Sequence, residues 1–215
     1  MKNYNEEYFY LRKTGGDKYP SLQYAAGNVC SSMELFDDIA LDTQEIRYLS
    51  FRKPMPRSPK LADFHLLKEN APAISECLKK VLESLNLKGI QFLPAVIRDK
   101  SGKEHSGYYI IHIVNLIKCM DKENSIYEPC RDLPGQVTDL DKLVLDNEVL
   151  DKIPLEERLV FALWENSLKV CYHYSVVEKL LEINPKGMTI YRLSKWDSST
   201  PFKEEYMSKL FGEEE

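Results

Sequence analysis

Residues 75–115, SECLKKVLESLNLKGIQFLPAVIRDKSGKEHSGYYIIHIVN, decide the fold of this chain. Leu78, Val81, Leu82 and Leu85 recur at i, i+3, i+4 and i+7, which stacks them on one helical face, while Glu76, Lys79, Lys80 and Glu83 take the other. Such a face needs a sheet to cover it. The sheet follows at once in residues 90–97 and 108–115, two runs rich in β-branched and aromatic side chains that suit a pleated, buried surface. Ser75 stands at the N-cap position, and Asn86-Leu87-Lys88-Gly89 closes the helix, with Gly89 free to adopt the left-handed exit conformation. Pro94 lacks a backbone donor, so its strand is expected at a sheet edge or at a bulge, and residues 108–115 are expected at the centre.

A second unit of the same kind lies downstream. Residues 159–164 and 168–172 flank Glu165-Asn166-Ser167 as a hairpin. Ser175 and Glu178 then read as a capping box, Val177, Leu180 and Leu181 as a buried stripe, and Asn184-Pro185-Lys186-Gly187 as an exit into a strand at 188–193. Both helices thus leave through Asn-x-Lys-Gly, which implies one sheet covered by both. The resulting class is α+β, with a mostly antiparallel or mixed sheet and two helix-then-strand units packed on it.

The remaining segments are less regular. Residues 8–11 suggest an opening strand ended by the turn chemistry of residues 14–17, and residues 29–36 read as a short strand or a helical turn. Asp37, Asp38, Asp42 and Glu45 suggest an exposed loop around Leu41. Residues 47–60, RYLSFRKPMPRSPK, combine five basic residues with Pro54, Pro56 and Pro59 and read as an irregular solvated connector. This divides the chain into an N-terminal extension, 1–60, packed on a main domain, 61–215. Beyond Asp121 a polar connection runs through Cys130, with a short strand expected within 143–150 and a fraying helical tail after Phe202.

Composition narrows the function. A 43% hydrophobic content over 215 residues is enough for a sizeable core. A net charge of −5 argues against nucleic-acid binding, and no window approaches the ~18 apolar residues of a membrane span. The five cysteines, Cys30, Cys77, Cys119, Cys130 and Cys171, form no CxxC and fit reduced thiols; with no apolar leader in MKNYNEEYFYLRK, a cytoplasmic protein is expected.

Candidate chemistry is sparse. His65, His105, His112 and His173 are isolated from one another, so neither a metal nor a cofactor is expected. No GxSxG, GxxxxGK[ST] or GxGxxG occurs. Cys171 and His173, two apart on a strand, share a face and are the one conceivable nucleophilic pair, although a packed thiol beside an imidazole is the ordinary explanation. The clustered carboxylates are Asp139, Asp141, Asp146, Glu148, Asp151, Glu156 and Glu157, interleaved with Lys142, Lys152 and Arg158. They read as a solvated acidic rim that could steer a basic partner rather than as paired catalytic acids.

The order of motifs resembles a bacterial family of immunity proteins from polymorphic toxin systems, the eleventh such class and formerly a domain of unknown function. The resemblance is carried by Leu61-Ala62-Asp63-Phe64, Pro72-Ala73-Ile74-Ser75, Gln91-Phe92-Leu93-Pro94-Ala95 and Tyr108-Tyr109-Ile110-Ile111 with Asn115. It continues from Val160 through the second hairpin and helix to Met188-Thr189-Ile190. It implies a non-enzymatic antitoxin that binds a cognate toxin or secretion-system effector and blocks it by protein–protein contact. The acidic rim is the first place to look for that contact, and homo-oligomerisation stays open. The alternatives are a small cytosolic hydrolase or transferase and an effector chaperone or adaptor.

Overall fold

The stripe at Leu78 and Leu82 forms the helix it predicts, and two sheets rather than one are organised around it. The computed structural model describes residues 2–14, 19–36, 38–52, 59–68 and 70–199. In chain order the elements are β1 (Tyr8–Lys13), β2 (Leu22–Tyr24), β3 (Arg47–Phe51), β4 (Phe64–Leu66), β5 (Pro72–Ser75), α1 (Glu76–Ser84), β6 (Ile90–Arg98) and β7 (Glu104–Ile113). They continue with β8 (Leu116–Ile117), β9 (Ile126–Pro129), β10 (Val137–Lys142), α2 (Asn147–Asp151), β11 (Val160–Leu163), β12 (Asn166–His173), α3 (Tyr174–Leu181) and β13 (Met188–Arg192). A six-stranded sheet runs β2-β3-β6-β7-β5-β4, a five-stranded sheet runs β13-β1-β12-β11-β8, and β9 pairs with β10 alone. Pairing is antiparallel except between β3 and β6 and between β8 and β11. The class is α+β, as the sequence indicates.

The two sheets share one apolar layer. Phe9 and Leu11 of β1, Ile111 and Ile113 of β7, Leu78 and Leu82 of α1, and Val176, Val177 and Leu180 of α3 all bury into it. The two helices touch each other there. The other face of the five-stranded sheet, with Tyr8, Tyr10, Phe161 and Cys171, is covered by the β9–β10 hairpin and α2 through Val137, Leu140 and Leu150. The other face of the six-stranded sheet, with Leu49, Leu93, Ile97 and Ile110, is covered in part by Leu35 and Leu41 of the chain between β2 and β3. Alternate residues of β1 therefore bury on both sides, which explains its unbroken aromatic run.

Both Asn-x-Lys-Gly exits are places where the two sheets meet. Asn86 (φ 49°) and Asn184 (φ 46°) are left-handed, as are Gly89 and Gly187. A Cβ on Gly89 would lie 2.5 Å from that of Asn115, the residue that leaves β7 for the other sheet, where its carbonyl accepts from Ala162 N–H. A Cβ on Gly187 would lie 2.6 Å from Ala62 Cβ and 2.7 Å from the Phe64 carbonyl oxygen. Asp63 locks this second junction. Its carboxylate accepts from Ser75 Oγ (3.0 Å) and Lys186 N–H (2.9 Å), while the Lys186 carbonyl accepts from the Asp63 and Phe64 amides. Glycine is required at both turns by contact as much as by backbone angle.

Several expectations need correction. Ser75 precedes α1, but its hydroxyl serves Asp63 and makes no capping bond. The cap of α3 is His173, whose Nδ1 accepts from Ser175 N–H (3.4 Å) and Ser175 Oγ (2.9 Å), in place of a Ser175–Glu178 box. Residues 47–51 are not connector but strand β3, with Arg47, Leu49 and Phe51 buried in alternation; Pro54 and Pro56 lie outside the described residues. Pro94 sits in a strand flanked on both sides, yet pairing with β3 begins only at Ala95 and an irregularity against β7 follows it, so the missing donor is tolerated. The strand expected within 143–150 is instead β10, followed by the short helix α2. Residues 32–36 form a 3-10 turn. The predicted turn at 15–17 and the tail after Phe202 lie outside the described residues.

Two outcomes follow from this packing. Gly187→Ala combines a positive φ with a backbone clash and should cost about 3 kcal/mol, lowering Tm by roughly 10 °C. Gly102→Ala, with nothing within 4 Å of the added Cβ, should cost about 1 kcal/mol in the same thermal scan. His65 is fully buried, its Nε2 accepting from Ala62 N–H (3.0 Å) while Nδ1–H donates to the Pro20 carbonyl (2.9 Å). Burial pulls its pKa down to about 4, the Pro20 bond opposing. Its folded pKa lies below the unfolded value, so its contribution is complete above about pH 6.5 and is lost as pH falls toward 4. Denaturant titrations should show stability declining through that window, and an NMR titration should show His65 neutral until near its lower end.

Candidate functional site

The seven rim carboxylates are spread over a strand, a helix and a turn, and four of them, Asp139, Asp146, Asp151 and Glu157, have partners within the chain, Asp139 Oδ1 accepting from the Leu140 amide (2.9 Å). Asp139 and Asp141 are exposed on β10. Asp146 caps α2, its Oδ1 accepting from the amides of Glu148 (2.9 Å) and Val149 (3.1 Å), while Glu148 projects into solvent from the first turn. Asp151 accepts from the Tyr4 hydroxyl (2.7 Å). Glu156 and Glu157 sit on the 3-10 turn Leu155–Glu157, and Glu157 faces Lys88 at 3.3 Å. That pair is exposed at both ends and contributes little. Asp139, Asp141, Glu148 and Glu156 are all exposed to water.

Beside the rim, Arg158 is buried and fully engaged. Its Nη1 and Nη2 donate to the hydroxyls of Tyr8 (2.9 Å) and Tyr4 (3.1 Å), its Nε to the Ile153 carbonyl (2.9 Å), and the Tyr8 hydroxyl donates back to the Arg158 carbonyl. Asp151 is the outer end of this network, which pins the N-terminal strand to the α2–β11 segment. Asp139 and Asp141 have a different neighbour. Lys169 lies 5.1 Å from the Trp196 ring, with Arg12 at 5.8 Å from the same ring. Burial and the like charge of Arg12 pull the Lys169 pKa down to about 8, against the opposing pull of Asp139 and Asp141. The β10 end of the rim is thus partly offset by these two cations.

The candidate nucleophile does not assemble. Cys171 is wholly buried among Tyr8, Tyr10 and Phe161, and burial holds its thiol far above the ordinary range. The thiolate is the reactive form, so this cysteine is a packing residue. His173 keeps Nδ1 as an acceptor for the α3 cap and turns Nε2–H toward Glu7 at 3.5 Å. Burial lowers its pKa and outweighs Glu7, which pulls the other way. A Ser-Asp-His grouping exists in the β6–β7 turn, beside an open cleft of about 590 Å³ lined by Phe51, Leu61 and Asp99. Its order is wrong for catalysis: Ser101 Oγ (2.6 Å) and His105 Nε2 (2.9 Å) both address Asp99, so the imidazole is not on the hydroxyl. No group of three or more His, Cys, Asp or Glu side chains among the described residues could hold a metal.

Sequence reasoning placed an exposed loop around Leu41 but missed the buried side chains that anchor it between β2 and β3. Arg47 is only 1% exposed, and its Nη1 donates to the carbonyls of Asp42 (2.6 Å) and Glu45 (2.7 Å), with Glu34 and Glu45 carboxylates at 3.6 and 3.8 Å from Nη2. Gln91 brackets Leu41, accepting from its amide (2.8 Å) and donating to its carbonyl (3.1 Å). His112, the imidazole that interrupts β7, reaches the Ile39 carbonyl at 2.9 Å. Asn28 ties the loop's start to both backbone groups of Tyr48. The signal was present in the alternation Arg47, Leu49, Phe51, but a basic residue leading into prolines conceals a strand.

The division of labour within the rim is measurable. Asp146→Ala, which removes a helix cap, should cost about 1 kcal/mol in denaturant unfolding, whereas Glu148→Ala should stay within about 0.5 kcal/mol of the parent.

No helix among the described residues is long and apolar enough to cross a membrane. No curated protein matches the chain. A family model does match, over residues 39–193, and so includes β3, both helix-then-strand units and both glycine junctions. On that match the chain belongs to the immunity protein family (Imm11).

Proposed function

We propose that this immunity protein acts as one compact unit in the cytoplasm, where it binds a cognate toxin or effector and neutralises it stoichiometrically, without turnover of its own. The observation that carries this reading is the family match across residues 39–193. The geometry supports it with surface rather than with a reaction centre. Asp139, Asp141, Glu148 and Glu156 are held on ordered backbone with their charges toward solvent. A fixed set of like charges raises the encounter rate with a basic partner and contributes less to how long the complex lasts.

Co-expression with a candidate toxin, sought first in the product of the neighbouring gene, is the direct test. Wild-type protein should restore growth and form a complex of fixed stoichiometry with the catalytically inactivated toxin; growth arrest that persists despite soluble protein would overturn the proposal. Reversing Asp139, Asp141, Glu148 and Glu156 to lysine should slow association about tenfold at low salt with little change in dissociation, and the difference should shrink in about 0.5 M salt.

A further inference from the structure

The loop joining β2 to β3, residues 25–46, is built to hold hydrophobic side chains in water. The loop spans 22 residues, none of the described ones in a strand or α-helix, which is long for a connection inside a domain, and such loops commonly serve binding. This one is not slack. Arg47, Gln91 and His112 reach its backbone from β3, β6 and β7, and Asn28 at its start bonds the Ala25 carbonyl and both backbone groups of Tyr48. Leu35 and Leu41 pack onto the six-stranded sheet. With the backbone stapled inward, Val29 (95% exposed), Ile39 (66%), Met33 (64%) and Ile46 (48%) project outward. A mobile loop would lose ordering entropy on binding; here that cost is met during folding.

Charge identifies the partner. The segment carries Glu34, Asp37, Asp38, Asp42 and Glu45 and no Lys, Arg or His, a formal −5 that equals the net charge of the entire chain. The rest of the protein is balanced. An anionic membrane surface is repelled by such a segment, as is nucleic acid, and a second copy would oppose five negative charges with five. What fits is a different protein, presenting an apolar patch ringed by Lys and Arg.

We infer that the described part of this loop, residues 29–36 and 38–46, forms the contact core of the toxin interface, docking an apolar, basic-rimmed patch of the toxin, while the rim around α2 acts at longer range. This deepens the function proposed above and rests on it. The two surfaces are separable kinetically, because desolvated apolar contacts govern dissociation and peripheral charges govern association.

The test measures binding of the inactivated toxin from which co-expression of this protein rescues growth to the full-length protein and to two variants, Met33→Ser/Ile39→Ser and Asp38→Lys. Circular dichroism and thermal unfolding of each variant should match the parent, since all three side chains are exposed. The double variant should dissociate at least about 30-fold faster, and Asp38→Lys should weaken binding in a salt-dependent way. Unchanged dissociation of the double variant from a toxin that wild-type protein binds would overturn this inference and leave the immunity function standing. Failure of wild-type protein to bind the toxin at all would remove the functional proposal and this inference with it. A wild-type dimer in sedimentation that Met33→Ser/Ile39→Ser abolishes would replace the toxin with a second copy as the occupant.

Discussion

Two close backbone approaches, at Gly89 against Asn115 and at Gly187 against Ala62 and Phe64, allow the sheets to share an interior. Neither sheet is independent. Their facing residues, with Leu78, Leu82, Val177 and Leu180 of the helices, make one apolar layer whose burial is the main favourable contribution to folding. Side chains pack at that spacing only where the chain crosses between sheets without a Cβ in the way. Asp63 then satisfies the polar groups that the crossing would otherwise strand, binding Ser75 on one side and Lys186 on the other. Leu61-Ala62-Asp63-Phe64, a motif with no visible chemistry, is thereby explained as a junction.

Much of this was legible from local pattern. The α1 stripe, the β11–β12 hairpin and the two Asn-x-Lys-Gly exits are short-range signals, each fixed by helical period or by the need for a positive φ. What stayed hidden depends on partners distant in sequence. The single sheet expected from two helix-then-strand units became two because each exit docks on the other sheet, which periodicity cannot express. Arg47 reads as a surface cation until the carbonyls of Asp42 and Glu45 are placed around it. His173 displaced Ser175 as a cap because Glu7, brought in by β1, orients its far nitrogen. The acidic residues were visible as a cluster, yet sequence could not separate Asp146 and Asp151, which serve the fold, from Glu148 and Glu156, which do not.

The surface divides by physics in the same way. Exposed carboxylates around α2 are cheap to keep in water and act at a distance, within a Debye length of about 8–10 Å at ordinary salt. Exposed apolar side chains are costly to display, and buried Arg47 and His112 hold the loop that displays them. The polar pegs also give that face a defined shape before any partner arrives.

Hydrogen exchange of the free protein tests this preorganisation most directly. The Leu41 amide, bonded to the Gln91 side chain, and the Tyr48 amide, bonded to Asn28, should exchange at least about 100-fold more slowly than in an unstructured chain, with Gln91→Ala releasing Leu41 selectively. Exchange of Leu41 at the unstructured rate in the wild-type protein would contradict the account, because the loop would then have no fixed face to present.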